Sequence, residues 1–279
     1  MLEFTKMHGL GNDFIMVDNL DGAQQFPAER VKALADRHFG VGFDQMLIVE
    51  KPTRPDAEFD YRIFNYDGSE VEHCGNGARC FAKFVRDRGL TDSRAIKVNT
   101  SAGIIELITR DDEQVTVKMG IPTFDPVKIP LDTSIAEAQS DYDYVVRVGE
   151  QRVVFSAVAI GNPHAVIQVD DVATAPVETL GAAMESHPAF PNRVNVGFMQ
   201  FVSPGHIRLR VFERGVGETR ACGTGACAAF SIARQKKLLD KNGVVTLSGG
   251  DLSLHWQDIH SNIEMTGPCT KVFEGQTRM

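Results

Sequence analysis

The sequence lacks the excess of positive charge that a nucleic-acid-binding face requires. Lysine and arginine together number 29, against 37 aspartate and glutamate residues, which gives a formal net charge of −8. This balance argues against a nucleic-acid partner. It leaves room for a charged small substrate, because a local site can carry either sign.

Long apolar runs are also absent. No stretch is apolar over the roughly 20 residues that a membrane-spanning helix needs. The first residues, Met1 to Lys6, contain no basic run followed by an apolar segment. We therefore expect a cytoplasmic protein with no membrane partner.

Cysteine is scarce, and its pattern excludes the common uses of paired thiols. The five cysteines are Cys74, Cys80, Cys222, Cys227 and Cys269, and no two of them have the C-x-x-C spacing. An odd count argues against a disulfide framework, and the missing spacing weakens a zinc site or a thioredoxin-like redox site. We expect free thiols, and we interpret Cys80, Cys227 and Cys269 as packing residues.

An internal repeat is the strongest positive feature of the sequence. Each copy has an arginine, a phenylalanine and a glutamate at twelve, ten and four residues before a cysteine that opens the run C-G-x-G-A. These residues are Arg62, Phe64, Glu70 and Cys74 in the first copy, and Arg210, Phe212, Glu218 and Cys222 in the second. The pair Gly-Asn recurs upstream, at Gly11-Asn12 and Gly161-Asn162. The pattern predicts duplication, with equivalent residues of two similar domains meeting at a cleft.

Each half contains many strand-like runs and one apolar helix that directly follows its cysteine. The helices are predicted over about Gly77 to Arg88 and Gly225 to Leu239, each buried within a curved sheet. The proline-containing segment from Gly120 to Ser140 is interpreted as the connection. We place the domains at residues 1–120 with 266–279, and at residues 121–265.

A cysteine at a helix start has a defined chemistry. The first amides of a helix have no internal partner and the helix dipole is positive there, which favours a thiolate. Gly75 and Gly77 lack Cβ atoms, so their backbone can approach a ligand, and the free amides can hold a carboxylate. Cys222 and its following glycines offer the same arrangement.

Two such units acting on one carbon can invert its configuration. A thiolate removes the α-proton from one face, and a thiol returns a proton to the other. Amides around the α-carboxylate stabilise the developing charge. The sequence shows no Schiff-base lysine context and no phosphate-binding loop, and Gly9-Leu10-Gly11-Asn12 lacks the third glycine of a dinucleotide loop, so no cofactor is expected.

The motifs closely resemble the diaminopimelate epimerase family over nearly the whole chain. They are His8 to Phe14, Phe64-Asn65, Cys74 to Cys80, Gly161 to His164, Glu213 to Gly215, Ala221 to Ala226 and Met265 to Pro268. The resemblance implies an α+β fold of two pseudo-symmetric domains, each a mixed, curved, barrel-like sheet around a central helix. It also implies cofactor-independent interconversion of LL- and meso-diaminopimelate for lysine and peptidoglycan synthesis, without a metal.

The resemblance further assigns roles by matched motif. Cys74 and Cys222 are implied as the acid/base pair, and His164 and Glu213 as residues that tune the cysteines. The implied substrate-binding residues are Asn12, Gln45, Asn65, Gly75, Asn76, Asn162, Asn195, Glu213, Arg214, Gly223 and Thr224. A homodimer is implied as well, with Phe273 at the position of an aromatic that supports it.

Two other functions stay open at this point. An epimerase for another amino acid, such as proline or hydroxyproline, would use the same pair of cysteines. Asn76, rather than a histidine after the glycine, and Arg214 favour the larger dicarboxylate. A non-catalytic thiol switch or metal-binding protein would instead use Cys74 and Cys222 as a disulfide or as ligands.

Overall fold

The chain divides into two units near residue 118. A computed structural model describes residues 1–71, 74–101 and 103–278. The first unit is Met1–Lys118 with Thr266–Met279, and the second is Met119–Met265. The boundary lies two residues earlier than the sequence interpretation put it. Met119 and Gly120 exchange backbone hydrogen bonds of 2.8 and 2.9 Å with Ile263, which holds them in the second unit.

The elements up to residue 118 alternate strands with two helices. They are β1 (Leu2–Gly9), β2 (Asn12–Asp18), α1 (Ala28–Ala35), β3 (Gln45–Glu50), β4 (Phe59–Asn65), β5 (Glu70–Val71), α2 (Gly75–Asp87), β6 (Ala95–Thr100), β7 (Gly103–Thr109) and β8 (Val115–Lys118).

The elements after residue 118 are also mostly strands, with two helices among them. They are β9 (Glu137–Ala138), β10 (Asp143–Val148), β11 (Gln151–Ala159), β12 (Pro163–Gln168), α3 (Val177–Glu185), β13 (Asn195–Ser203), β14 (His206–Glu213), β15 (Gly217–Thr219), α4 (Gly223–Gln235), β16 (Asn242–Leu247), β17 (Gly250–His255), β18 (Glu264–Gly267) and β19 (Thr270–Thr277).

In the first unit, a mixed sheet curves around α2. Strand β1 pairs antiparallel with β2 and β19, β2 runs parallel to β3, and β3 is antiparallel to β4. Strand β4 runs parallel to β6, and β6, β7 and β8 continue antiparallel. Helix α2 contacts β1, β2, β3, β7 and β8, and its residues from Gly75 to Ala82 are all buried. A helix buried on every side is the core of its unit.

The second unit repeats this order of elements. Strand β11 is antiparallel to β12, β12 runs parallel to β13 across α3, and β13 is antiparallel to β14. Strand β14 runs parallel to β16, and β16 is antiparallel to β17. Helix α4 packs against β11, β12, β13, β14, β16 and β17 and is buried like α2. The predicted α+β architecture, with one central helix in each of two mixed sheets, is confirmed.

The segment from Gly120 to Ser140 contributes side chains to the core of the second unit. Ile129, Leu131 and Ala136 are buried in the same apolar cluster as Phe155. Thr123 forms a β-bridge with Ala159. The interpretation of this segment as a linker was therefore wrong, because its apolar side chains complete the core of the second unit. In the described part of the chain, no helix is long and apolar enough to cross a membrane.

Candidate active site

Each central helix begins with a cysteine as its N-cap. Cys74 has extended backbone angles of φ −140° and ψ 114°, and its Sγ accepts a hydrogen bond from the Gly77 amide at 3.5 Å. Cys222 has φ −120° and ψ 110°, and its Sγ accepts from the Gly225 amide at 3.4 Å. Each sulfur thus occupies the position that an N-cap side-chain oxygen usually takes, at the positive end of the helix dipole.

The third residue of each helix is a glycine for reasons of packing. A Cβ atom on Gly77 would lie 3.0 Å from a methyl carbon of Leu47 and 3.1 Å from the Tyr61 hydroxyl. A Cβ atom on Gly225 would lie 3.1 Å from Val211 and 3.2 Å from the sulfur of Cys222. At Gly77 the sequence interpretation, close approach to a ligand, was wrong, because this glycine faces the protein interior.

Cys74 lies beside two asparagines that the sequence singled out. Its Sγ is 3.7 Å from Oδ1 of Asn12, with the thiol as donor. The same Oδ1 accepts a hydrogen bond from Nδ2 of Asn76 at 3.4 Å. The side chain of Asn76 is in turn held by the fully buried guanidinium of Arg79, whose Nη2 donates to Oδ1 of Asn76 at 2.9 Å.

Gln45 and Asn65 form a second polar group in the first unit. They are cross-strand neighbours on β3 and β4, and Nε2 of Gln45 donates to Oδ1 of Asn65 at 2.9 Å. Nδ2 of Asn65 donates to the hydroxyl of Ser69. Oε1 of Gln45 is buried and accepts no hydrogen bond from any described residue. A buried acceptor without a donor is costly unless a ligand or water supplies one.

Cys222 has a different environment from Cys74. Burial raises the pKa of the Cys222 thiol well above its ordinary value, and the nearby carboxylate of Glu213 raises it further. Oε1 of Glu213 accepts from the hydroxyl of Thr219 at 2.5 Å, and Thr224 Oγ1 lies 3.6 Å from the sulfur. The predicted stabilisation of a thiolate by the helix dipole is therefore outweighed at this cysteine by burial and by a like charge.

His164 and Asn162 form a hydrogen-bonded pair. Nε2 of His164 donates to Oδ1 of Asn162 at 2.9 Å. Burial lowers the pKa of His164 to about 3, and the positive charge of Arg214 adds to the shift. The imidazole is therefore neutral near pH 7. A neutral ring with Nε2 protonated keeps Nδ1 as an acceptor.

Asn195 links the backbone at Pro163 to the backbone at Arg214 in the second unit. Its Oδ1 accepts from the backbone amide of Arg214, and its Nδ2 donates to the carbonyl of Pro163, both at 3.0 Å. The guanidinium of Arg214 donates to the carbonyl of Asn192 at 3.1 Å. Three residues that the sequence singled out, Asn195, Arg214 and His164, therefore lie close together in the second unit.

Gly75 and Gly223 follow the two cysteines as the first residues of their helices. Both are buried, as is Asn76, whereas Thr224 is partly accessible. Their backbone amides belong to the first helical turn, where no intrahelical carbonyl is available to them. Each helix start therefore offers amide donors next to a thiol.

The repeated arginine and glutamate turn out to be partners. Arg62 and Glu70 form two parallel hydrogen bonds of 2.8 and 2.9 Å, and Arg210 and Glu218 form two of 2.6 and 2.8 Å. Each pair ties together the two strands that lead into a cysteine. Sequence reasoning found these residues as markers of the repeat but missed the pairing, although the constant spacing was a signal for it.

A charged group next to Asn12 was also missed. Nδ2 of Asn12 donates to Oδ2 of Asp44 at 3.0 Å, and Arg37 Nη2 donates to Oδ1 of Asp44 at 2.8 Å. Arg37 and Lys6 both pair with Asp13. No sequence signal connects Asp44 with Asn12, because the contact depends on the parallel pairing of β2 with β3.

The family model described as "Diaminopimelate epimerase" matches residues 4–124 and 156–272. The chain belongs to the diaminopimelate epimerase family. It is 54% identical to the diaminopimelate epimerase of Teredinibacter turnerae (strain ATCC 39867 / T7901) over 278 residues, which cover 100% of this chain and 99% of that protein. Membership of this family makes the protein an isomerase.

Solved structures share the fold of this diaminopimelate epimerase family member at low sequence identity. A hydroxyproline epimerase from Agrobacterium vitis, with bound trans-4-hydroxy-L-proline, is 14% identical with a TM-score of 0.71, covering 98% of this chain and 91% of that one. A phenazine biosynthesis protein of the PhzF family from Bacillus anthracis is 16% identical with a TM-score of 0.69, covering 100% and 99%.

The cysteines form no disulfide, and all five lie in the described part of the chain. Within the same ranges, no three His, Cys, Asp or Glu side chains cluster in a way that could hold a metal ion. Cys80 and Cys227 are fully buried within α2 and α4, and Cys269 is buried beside β19. These three thiols are packing residues, so Cys74 and Cys222 remain as the candidates for chemistry.

Proposed function

We propose that this protein interconverts LL- and meso-diaminopimelate without a cofactor, in the formation of lysine and peptidoglycan precursors. One observation carries the proposal: in both units the central helix begins with a cysteine whose sulfur accepts an amide hydrogen bond. The identity of 54% to a diaminopimelate epimerase supports the choice of substrate.

Cys74 and Cys222 act as the acid/base pair on one α-carbon. The thiolate of one cysteine takes the α-proton, so that the C–H bond breaks, an S–H bond forms and the electron pair stays on the carbon. The thiol of the other cysteine then gives its proton to the opposite face and becomes the thiolate. No atom is gained or lost overall, the α-carbon is inverted, and the two cysteines have exchanged roles.

The reacting α-carboxylate binds to the helix starts. The residues that hold it are Gly75 and Asn76 of α2, and Gly223 and Thr224 of α4. First-turn amides donate hydrogen bonds to an anion, and the helix dipole favours negative charge at this end. Because charge moves from the α-carbon onto this carboxylate as the proton leaves, the same donors stabilise the carbanion.

Polar side chains around the two helix starts bind the rest of the substrate, above all its distal amino-acid end. This role falls to Asn12, Gln45, Asn65, Asn162, Asn195, Glu213 and Arg214. Oε1 of Gln45, buried without a donor among the described residues, is suited to accept from a substrate ammonium group. The guanidinium of Arg214 is suited to the distal carboxylate.

Glu213 and His164 tune the cysteine of the second unit. Burial raises the pKa of Cys222 and the carboxylate of Glu213 raises it further, which keeps the thiol protonated until a substrate arrives. His164 stays neutral because its pKa is lowered to about 3. A neutral imidazole brings no positive charge to the site of the second unit, so it does not counteract the effect of Glu213.

The stereochemical assay with LL-diaminopimelate in heavy water tests the proposal. We expect meso product that carries solvent deuterium at the inverted α-carbon. Cys74→Ala and Cys222→Ala should each lose nearly all turnover. Cys227→Ala, which alters a buried thiol within α4, is the matched control and should retain it.

Three results would contradict this assignment. Prompt conversion of proline or hydroxyproline with no conversion of diaminopimelate would favour an epimerase for another amino acid. Full epimerase activity in either of the two N-cap variants, with native circular dichroism, would show that the thiols are not the acid and the base. Product without deuterium would exclude exchange with a cysteine thiol.

We also propose a cytoplasmic homodimer. In the first unit the ring of Phe273 on β19 is about half exposed and meets Phe4 edge-on with 6.1 Å between ring centroids. Its neighbour Val272 is 54% exposed, against 48% for Phe273. These two exposed apolar side chains support a partner surface on this strand.

A further inference from the structure

A continuous chain of hydrogen bonds in the first unit runs from the N-terminal half of α2 to the residue that precedes β3. Nη2 of Arg79 donates to Oδ1 of Asn76 at 2.9 Å, and Nδ2 of Asn76 donates to Oδ1 of Asn12 at 3.4 Å. Nδ2 of Asn12 then donates to Oδ2 of Asp44 at 3.0 Å. Nη2 of Arg37 closes the chain by donating to the other oxygen of Asp44 at 2.8 Å.

The charged ends give every amide in this chain one orientation. A guanidinium only donates and a carboxylate only accepts. Asn76 must therefore turn its oxygen towards Arg79, which leaves its NH₂ for Asn12. Asn12 must turn its own NH₂ towards Asp44. A flip of either amide would set two donors or two acceptors against each other.

The orientation of Asn12 decides what Cys74 faces. With its NH₂ on Asp44, Asn12 presents its carbonyl oxygen to the sulfur at 3.7 Å. An oxygen acceptor stabilises the S–H form and holds its direction. If the amide were flipped, its NH₂ group would stabilise the thiolate instead.

The second unit, whose residues are all described, has no counterpart of this arrangement. Strand pairing sets Phe14 opposite Gln45 and His164 opposite Asn195, so the residue that corresponds to Asp44 is Val194. The asparagine equivalent to Asn12 is Asn162, and its oxygen accepts from His164. A carboxylate that orients the asparagine of the Gly-Asn pair is therefore found beside Asn12 and not beside Asn162.

We infer that Asp44 is a positioning residue that acts through Asn12 on Cys74. It supplies the acceptor that fixes the Asn12 amide, and this role rests on the proposed function of Cys74 as an acid/base residue. The side chain of Asp44 is 45% exposed and its Oδ2 also accepts from the backbone amide of Asp13 at 3.1 Å. What Asn12 requires from it is an oxygen acceptor, not a negative charge.

The test compares Asp44→Ala, which removes the acceptor, with Asp44→Asn, which keeps one. For each protein we would measure kcat and KM with LL-diaminopimelate, and the rate at which iodoacetamide alkylates Cys74, followed by peptide mass spectrometry. Asp44→Ala should lower kcat/KM by up to about tenfold, the upper end of what the loss of one neutral hydrogen bond costs. Alkylation of Cys74 should rise by about threefold or more, because the oxygen no longer opposes the thiolate.

Asp44→Asn should stay within about twofold of the natural protein in both measurements, since its amide oxygen can still accept from Asn12 and the exposed Arg37 can turn to solvent. Asp56→Asn is the matched control, because Asp56 is also a partly exposed aspartate paired with an arginine, Arg54, in the same unit. It should change neither measurement. Alkylation of the buried Cys222 reports on the fold and should stay constant.

Unchanged turnover and unchanged Cys74 alkylation in Asp44→Ala would overturn the inference. So would equal losses in Asp44→Ala and Asp44→Asn, because charge rather than an acceptor would then be required. If Asp44→Ala exposes the buried thiols, Asp44→Leu, which has nearly the shape of aspartate but no acceptor, takes its place with the same expected results. A natural protein inactive on diaminopimelate would refute the proposed function, while the alkylation rates would still decide the role of Asp44.

Discussion

His164 makes a specific prediction about the acid stability of the second unit. In the folded protein the ring is buried, and its pKa is lowered from 6.5 to about 3. In the unfolded chain the same ring takes up a proton below about pH 6.5. Between pH 6.5 and 3 the unfolded state therefore binds one more proton than the folded state, so stability falls as the pH falls.

The size of the effect follows from these two values. At pH 7 the protonation of His164 favours the unfolded state by well under 1 kcal/mol, and at pH 5 by about 2 kcal/mol. His164→Gln removes the titrating group. The loss of unfolding free energy between pH 7 and pH 5 should therefore be smaller in the variant by about 2 kcal/mol.

Urea denaturation followed by tryptophan fluorescence measures this difference. The chain has one tryptophan, and Trp256 is buried in the second unit together with His164. Comparing the two pH values within each protein cancels the constant cost of removing the imidazole and the titration of all other groups. Equal losses of stability in the variant and the natural protein would refute the reasoning.

Two further predictions concern packing and ion pairs. Gly225→Ala brings a methyl group to 3.1 Å from Val211 and 3.2 Å from the Cys222 sulfur, so kcat/KM should fall by about tenfold or more. Gly197→Ala is the control, because its methyl group would meet only the side-chain ends of Leu209 at 3.3 Å and Val166 at 3.9 Å, and equal activity in the two variants would contradict the prediction. Arg210→Met should lower the free energy of unfolding by about 2–3 kcal/mol, because its half-buried guanidinium also donates to two backbone carbonyls that would lose a donor. Arg62→Met, at a more exposed pair, should cost only about 0.5–1 kcal/mol in the same urea titration, and a larger cost there would count against this explanation.

The sequence alone predicted the two helix starts, because an N-cap is a local structure. The cysteine, the glycines and the apolar helix that follows lie within a few residues of one another, and their repetition marks them in both halves. The observed helices begin at Gly75 and Gly223, two residues before the predicted starts. The difference arises because the glycines that were taken for a ligand loop already have helical backbone.

The segment from Gly120 to Ser140 shows where sequence reasoning failed. Its prolines at positions 122, 126 and 130 indicated a linker. The apolar side chains that the segment buries, Ile129, Leu131 and Ala136, together follow neither the two-residue period of a strand nor the period of a helix. Only the folded second unit shows that they fill its core.

By itself, the sequence determined the duplication, the central helices and the two N-cap cysteines, since each depends on neighbouring residues or on a constant spacing. The tertiary structure alone decided what surrounds each sulfur. Asp44 comes next to Asn12 only when β2 pairs with β3, and Cys222 acquires its raised pKa only when it is buried beside Glu213. Burial and contacts between distant residues are properties of the packed chain, and no local pattern of residues records them.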